Sequence, residues 1–158
     1  MVFKSVLLPA ALFASGLFVA ACTSSDNPTT VSTPATTRFV ATLNGANEKP
    51  ASTTSPATGT FVGDLNPTTR IMSYTVTYAG FPANDPPMAG HLHRVTNADG
   101  TGPVDVKFPS PLPASPIVAT TGALAQSKID SMVAGKYYAN IHTMMYPGGA
   151  IWGDVKKQ

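Results

Sequence analysis

The sequence predicts an all-β domain, a Greek-key sandwich or barrel of seven or eight short strands with one short helix. Three observations carry that expectation. Apolar and polar residues alternate with a period of two in most of the runs between Arg38 and Val155. Twelve prolines and twelve glycines punctuate those runs, and both residues mark turns. The composition is rich in Thr, Pro, Gly and Ala and poor in long helix formers.

The elements follow in order. "RFVATLNG" at 38–45 puts Phe39, Ala41 and Leu43 on one face of a strand. "GTFVGDL" at 59–65 does the same with Phe61 and Leu65, and "NPTT" at 66–69 is a turn in which Pro67 presets φ. "RIMSYTVTYAG" at 70–80 is the clearest strand. Met72, Tyr74, Val76 and Tyr78 face one way and Ser73, Thr75 and Thr77 the other, the alternation of a half-buried antiparallel strand. "FPANDPP" at 81–87 is a loop, "AGHLHRV" at 89–95 a strand, "TNADGTGP" at 96–103 a loop and "VDVKF" at 104–108 a strand. "PSPLPASP" at 109–116 carries four prolines and must be irregular surface. "IVATTGA" at 117–123 reads as a strand. In "LAQSKIDSMVAG" at 124–135, Leu124, Ile129 and Met132 stand near helical spacing and Gly135 ends the helix. "KYYANIHTMM" at 136–145 and "AIWGDV" at 150–155 are the last two strands, joined by the turn "YPGG". Trp152 is expected to cover an edge of the sandwich. There is no internal repeat.

Charge and the N-terminus bound the setting. Charged residues are 11% of the chain and the formal net charge is +2. No basic patch is present, which argues against nucleic acid as a partner. The single cysteine, Cys22, rules out an internal disulfide. It closes the segment "MVFKSVLLPAALFASGLFVAAC", in which one basic residue, Lys4, precedes an apolar run from Val6 to Ala20. That run is short for a membrane span. The ending Val19-Ala20-Ala21-Cys22 resembles the lipobox of bacterial lipoproteins, which implies a signal peptide at 1–21, cleavage before Cys22 and acylation of that residue. The lipid would anchor the protein to a membrane of the bacterial cell envelope. Thr23 is not the aspartate that marks inner-membrane retention, so in a Gram-negative host the outer membrane is the expected destination, facing the periplasm or the cell surface. Residues 22–37 are polar and of low complexity and read as a flexible tether. The folded domain then spans 38–158. Nothing in the chain bears on oligomeric state.

The chain has three histidines, His91, His93 and His142. Side chains at i and i+2 on a strand share a face about 7 Å apart. His91 and His93 therefore point one way and Leu92 the other. If Leu92 faces the core, both imidazoles stand on the outer face. In the later strand Ala139 and Ile141 form the apolar face, with Asn140, His142 and Met144 opposite. The histidines converge only if the two strands are neighbours, which the residues alone leave open.

Several segments resemble the CHRD domain, a module first named from chordin and found alone in bacterial proteins. They are "FVATLNGANEKP", "GTFVGDL", "MSYTVTYAGF", "AGHLHRV", "GPVDVKF", "LAQSKIDSMVAGKYYANIHT" and "YPGGAIWGDV", covering roughly residues 38 to 155. The resemblance implies an immunoglobulin-like sandwich related to copper-zinc superoxide dismutase. In that enzyme a His-x-His strand lies beside a strand bearing another copper ligand. His91 and His93 would take the first role and His142 the second. A bimetallic site is excluded by count, because no further histidine exists. Where the family ending carries Glu and Arg, this chain has Ala150 and Trp152, so no arginine stands there to steer an anion.

The expected site is thus one metal ion on His91, His93 and His142. Imidazole suits copper and zinc, and copper is the expectation. Met144, on the His142 face, and Met88, three residues before His91, are candidate thioether ligands that would favour Cu(I), although methionine is commonly packing. Asn140 and Tyr138 are candidate hydrogen-bond partners behind the ligands. Glu48, the chain's one glutamate, reads as a structural hydrogen-bonder. Two other readings stand beside the metal-binding protein. One is a metal-free module that binds another envelope protein, with the histidines bonded to each other and to loops. The other is a mononuclear copper redox enzyme. The chain shows neither a nucleophile elbow nor a phosphate loop.

Overall fold

The computed structural model describes residues 35–158. The expected signal peptide, Cys22 and nearly all of the expected tether lie outside those residues. The strands are β1 (Thr37–Asn44), β2 (Thr58–Leu65), β3 (Met72–Ala79), β4 (Ala89–Arg94), β5 (Val104–Lys107), β6 (Ile117–Thr120), β7 (Tyr137–His142) and β8 (Ile151–Lys157). One α-helix, α1 (Gln126–Val133), and a 3₁₀ turn at Gly45–Asn47 complete the fold.

The strands form one antiparallel sheet in the order β5-β4-β7-β8-β1-β2-β3-β6. The alternation read from the sequence selects its inner face. Phe39 and Leu43 of β1, Phe61 of β2, and Met72 and Val76 of β3 are all fully buried. So are Leu92 of β4, Ile141 of β7 and Ile151 and Val155 of β8. Each such side chain contributes about 1.5–3 kcal/mol by leaving water. The sheet curls over this core. Phe108, just past edge strand β5, stacks on Phe61 at 6.4 Å and lies 5.4 Å from the Tyr74 ring. Those two rings belong to β2 and β3, near the opposite edge, so the two ends of the sheet face each other across the core. The result is the sandwich-like, all-β fold that the strand pattern predicts.

Helix α1 packs Ile129 and Met132 inward and is tied to the sheet by Lys128, whose Nζ lies 2.8 Å from Asp105 Oδ1. The Tyr137 hydroxyl donates to the same carboxylate.

Three expectations need correction. The strand expected at 136–145 ends at His142, and residues 143–150 form a longer loop. The reason is Asp85, which is buried in the 81–87 loop. Thr143 Oγ1 donates to its Oδ2 at 2.7 Å and the Met145 N–H to its Oδ1 at 3.0 Å. The Tyr146 N–H then bonds back to Thr143 Oγ1. The carboxylate takes the Met145 N–H, a donor that a longer strand would use. Trp152 is not at an edge, because β8 is an interior strand and the indole is 2% exposed. The outer face of β4 and β7 is also not open to solvent throughout. His93 and Asn140 are buried beneath a second layer.

Candidate metal centre

Register brings the histidines together. β4 and β7 are adjacent and antiparallel, with Ala89 opposite His142, His91 opposite Asn140 and His93 opposite Tyr138. Leu92 packs in the core at 0% exposure, so His91 and His93 project from the other face. Paired residues share a face, and His142, Asn140 and Tyr138 therefore join them there.

The imidazoles form a triangle, with ring centroids 5.0 Å apart for His91–His142, 5.5 Å for His91–His93 and 5.8 Å for His93–His142. One ligand nitrogen from each lies within 4.8 Å of the other two. The tightest pair is His91 Nδ1 and His142 Nε2 at 3.2 Å. Two nitrogens about 2.1 Å from one ion at the tetrahedral angle stand about 3.4 Å apart, so this pair is already near the required spacing. The other two separations are up to 4.8 Å, so an ion would have to draw His93 toward that pair.

Backbone carbonyls settle two of the tautomers. His93 Nδ1 donates to the Gly102 carbonyl at 3.0 Å, and His142 Nδ1 donates to the Pro147 carbonyl at 3.0 Å. Each ring thus keeps its lone pair on Nε2. Since His142 Nε2 can only accept, His91 Nδ1–H donates to it. His93 Nε2 is buried with no hydrogen-bond partner. In His93 and His142 a carbonyl behind Nδ1 and a lone pair kept on Nε2 form the pattern of metal-ligating histidines. Burial, above all, holds the three rings below the ordinary imidazole range. His91, also beside the charges of His142, His93 and Lys107, is pushed down to about 4. The neutral, metal-competent form therefore prevails at neutral pH.

A second layer fixes these groups. Tyr138 stacks on His93 with centroids 4.7 Å apart and planes 7° apart. Its hydroxyl donates to the Gly102 carbonyl at 3.1 Å, beside His93 Nδ1. Gly102 reaches that position only without a side chain, since a Cβ there would lie 1.8 Å from the Arg94 carbonyl oxygen. Trp152 stacks on the far face of the same group of rings, against Tyr138, and Lys49 Nζ lies 5.2 Å over the indole. Asn140 Nδ2 donates to Glu48 Oε2 at 3.4 Å, while Glu48 Oε1 and Asn140 Oδ1 are buried without partners. Burial pushes the Glu48 carboxyl up to about 7, against the hydrogen bond from Asn140. A cavity of about 500 Å³ lies over this layer, between the Glu48 and Gly102 loops and the Tyr146–Gly149 turn.

Residues 39–155 match the family model of the CHRD domain. The chain belongs to that family. No curated protein and no solved structure matches it.

The remaining sites of the CHRD chain sort by position. Met88 is half exposed and shares a groove with His91. Met144 lies past the end of β7 and is 74% exposed, outside the strand geometry that would have aligned it with His142. Cys22 lies outside the described residues. Sequence reasoning missed Asp85, which shapes the chain after His142, and the carbonyls of Gly102 and Pro147, for which no side-chain signal exists. It also missed Lys107. His91 lies opposite Lys107 of β5, so a cation stands on the histidine face.

Proposed function

We propose that this CHRD protein binds one transition-metal ion through His91, His93 and His142, with copper favoured over zinc, and that it serves metal storage, delivery or sensing in the cell envelope. One observation carries the reading: three imidazoles converge, two of them held by carbonyls at Nδ1 so that Nε2 keeps its lone pair. A bound ion would supply a Lewis-acidic centre with an open position. Met88, in the groove beside His91, adds a soft donor nearby and supports copper. The lipobox-like Val19-Ala20-Ala21-Cys22 supports lipid anchoring at Cys22. In a Gram-negative host, Thr23 in place of aspartate at the next position supports outer-membrane placement.

The purified chain is expected to bind one equivalent of Cu(I), Cu(II) or Zn(II) by elemental analysis and calorimetry. His142→Ala is expected to lower the affinity at least about tenfold, the scale of losing one of three ligands. Absence of metal, with no loss in His142→Ala, sinks the reading. Mass spectrometry of the membrane fraction tests the anchor, and an unmodified Cys22 overturns it.

The His91–His142 hydrogen bond satisfies both rings without an ion, which favours a metal-free interaction module as the second reading. Partner capture unaffected by chelator would support it.

A further inference from the structure

A groove of about 180 Å³ opens beside the histidines. Its walls include Met88, Gly90, His91, Lys107, Phe108 and Ser110, and no carboxylate lines it. His91 belongs to both the groove and the histidine triangle, so the groove adjoins the triangle at His91. Lys107 stands opposite His91 across β4 and β5 and takes part in no ion pair among the described residues. The other side of the triangle is closed, with His93 8% exposed beneath Tyr138 and Trp152. Lys49 on that side is occupied by Asp154 and the indole.

An ion held by three imidazoles carries uncompensated positive charge and keeps an open position. On the groove side Lys107, opposite His91, adds a second positive charge. We propose that this groove is a subsite for a small anion, which enters past Lys107 and takes the open position of the ion. The inference rests on the proposed metal function. The groove's volume sets the class of ligand. At about 180 Å³ it is smaller than the usual pocket for an organic ligand, which suits an inorganic anion or a short carboxylate. Lys107 acts by charge and needs no fixed hydrogen bond, so attraction falls as salt screens it.

The full chain, loaded with Co(II), supplies the test, because the visible bands of the ion report its coordination. Azide is the probe. The expected result is a saturable spectral change, weakened about three- to tenfold in Lys107→Ala and more in Lys107→Glu, the scale of removing or reversing one partly screened charge. Lys107→Arg should restore it. Cobalt affinity should stay within about twofold in Lys107→Arg and not fall in Lys107→Ala, which separates anion binding from metal binding. Equal azide affinity in all Lys107 forms overturns the subsite while leaving the metal site standing, as does a loaded protein that ignores azide. A chain that takes up neither cobalt, copper nor zinc overturns both.

Discussion

A Cβ on Gly149 would lie 2.4 Å from Asn140 Nδ2 and 2.7 Å from Glu48 Oε1, and the residue's φ is +139°. The turn that carries the Pro147 carbonyl can therefore rest on the Glu48–Asn140 pair only because this position has no side chain. Gly149→Ala is expected to cost about 1–3 kcal/mol, read as a lower Tm, and to weaken metal binding by shifting the carbonyl behind His142. Glu48 makes a second prediction. Its folded carboxyl titrates at about 7 and an unperturbed one at 4.5, so between those values the folded state keeps a proton that the unfolded chain releases. Stability then falls as pH rises through that window, by on the order of 3 kcal/mol. His91 acts oppositely. Its value falls from 6.5 to about 4, so the unfolded chain binds the extra proton and stability rises with pH across that range. The two effects oppose each other in the native chain, and Glu48→Gln should expose the histidine rise alone in urea melts across pH 4 to 7. An unchanged pH profile in Glu48→Gln would refute the assignment.

At the scale of elements, the site depends on where β7 stops and on what lies beside it. Asp85→Ala would leave the Thr143 hydroxyl and the Met145 N–H without their acceptor. The expected cost is about 1–3 kcal/mol, with faster hydrogen exchange at Met145 than in the native chain. Slow exchange there would show that another group holds the loop. Leu92, between the two histidines of β4, is the inward anchor that turns both imidazoles to one face. Leu92→Ala should destabilise by about 2–5 kcal/mol in a denaturant titration. The alternation His91-Leu92-His93 made the face legible without a structure, since strand side chains alternate by geometry. The end of β7 was not legible. Thr143, Met144 and Met145 carry no breaker, and what stops the strand is a carboxylate 58 residues away in sequence from Thr143.

For the whole molecule, metal binding should couple to stability, because the unfolded chain scatters the three ligands. An ion at about 100 times its Kd is expected to add about 2.7 kcal/mol. That appears as a raised Tm, reversed by chelator and about halved or less in His142→Ala. A Tm indifferent to copper and zinc would contradict the metal reading. The strand class, the inward residues, the single helix and the family were all readable in the chain itself. Period-two alternation, turn residues and short motifs are local, and local chemistry dictates them. The pairing of β4 with β7, the carbonyls that orient His93 and His142, and the placing of Trp152 and Lys107 beside the centre were decided by the folded sheet. They depend on register between segments some 50 residues apart and on backbone atoms that every residue shares. Three histidines were visible in the sequence, but their nitrogens meet within 4.8 Å only because an unbroken core holds the two strands side by side.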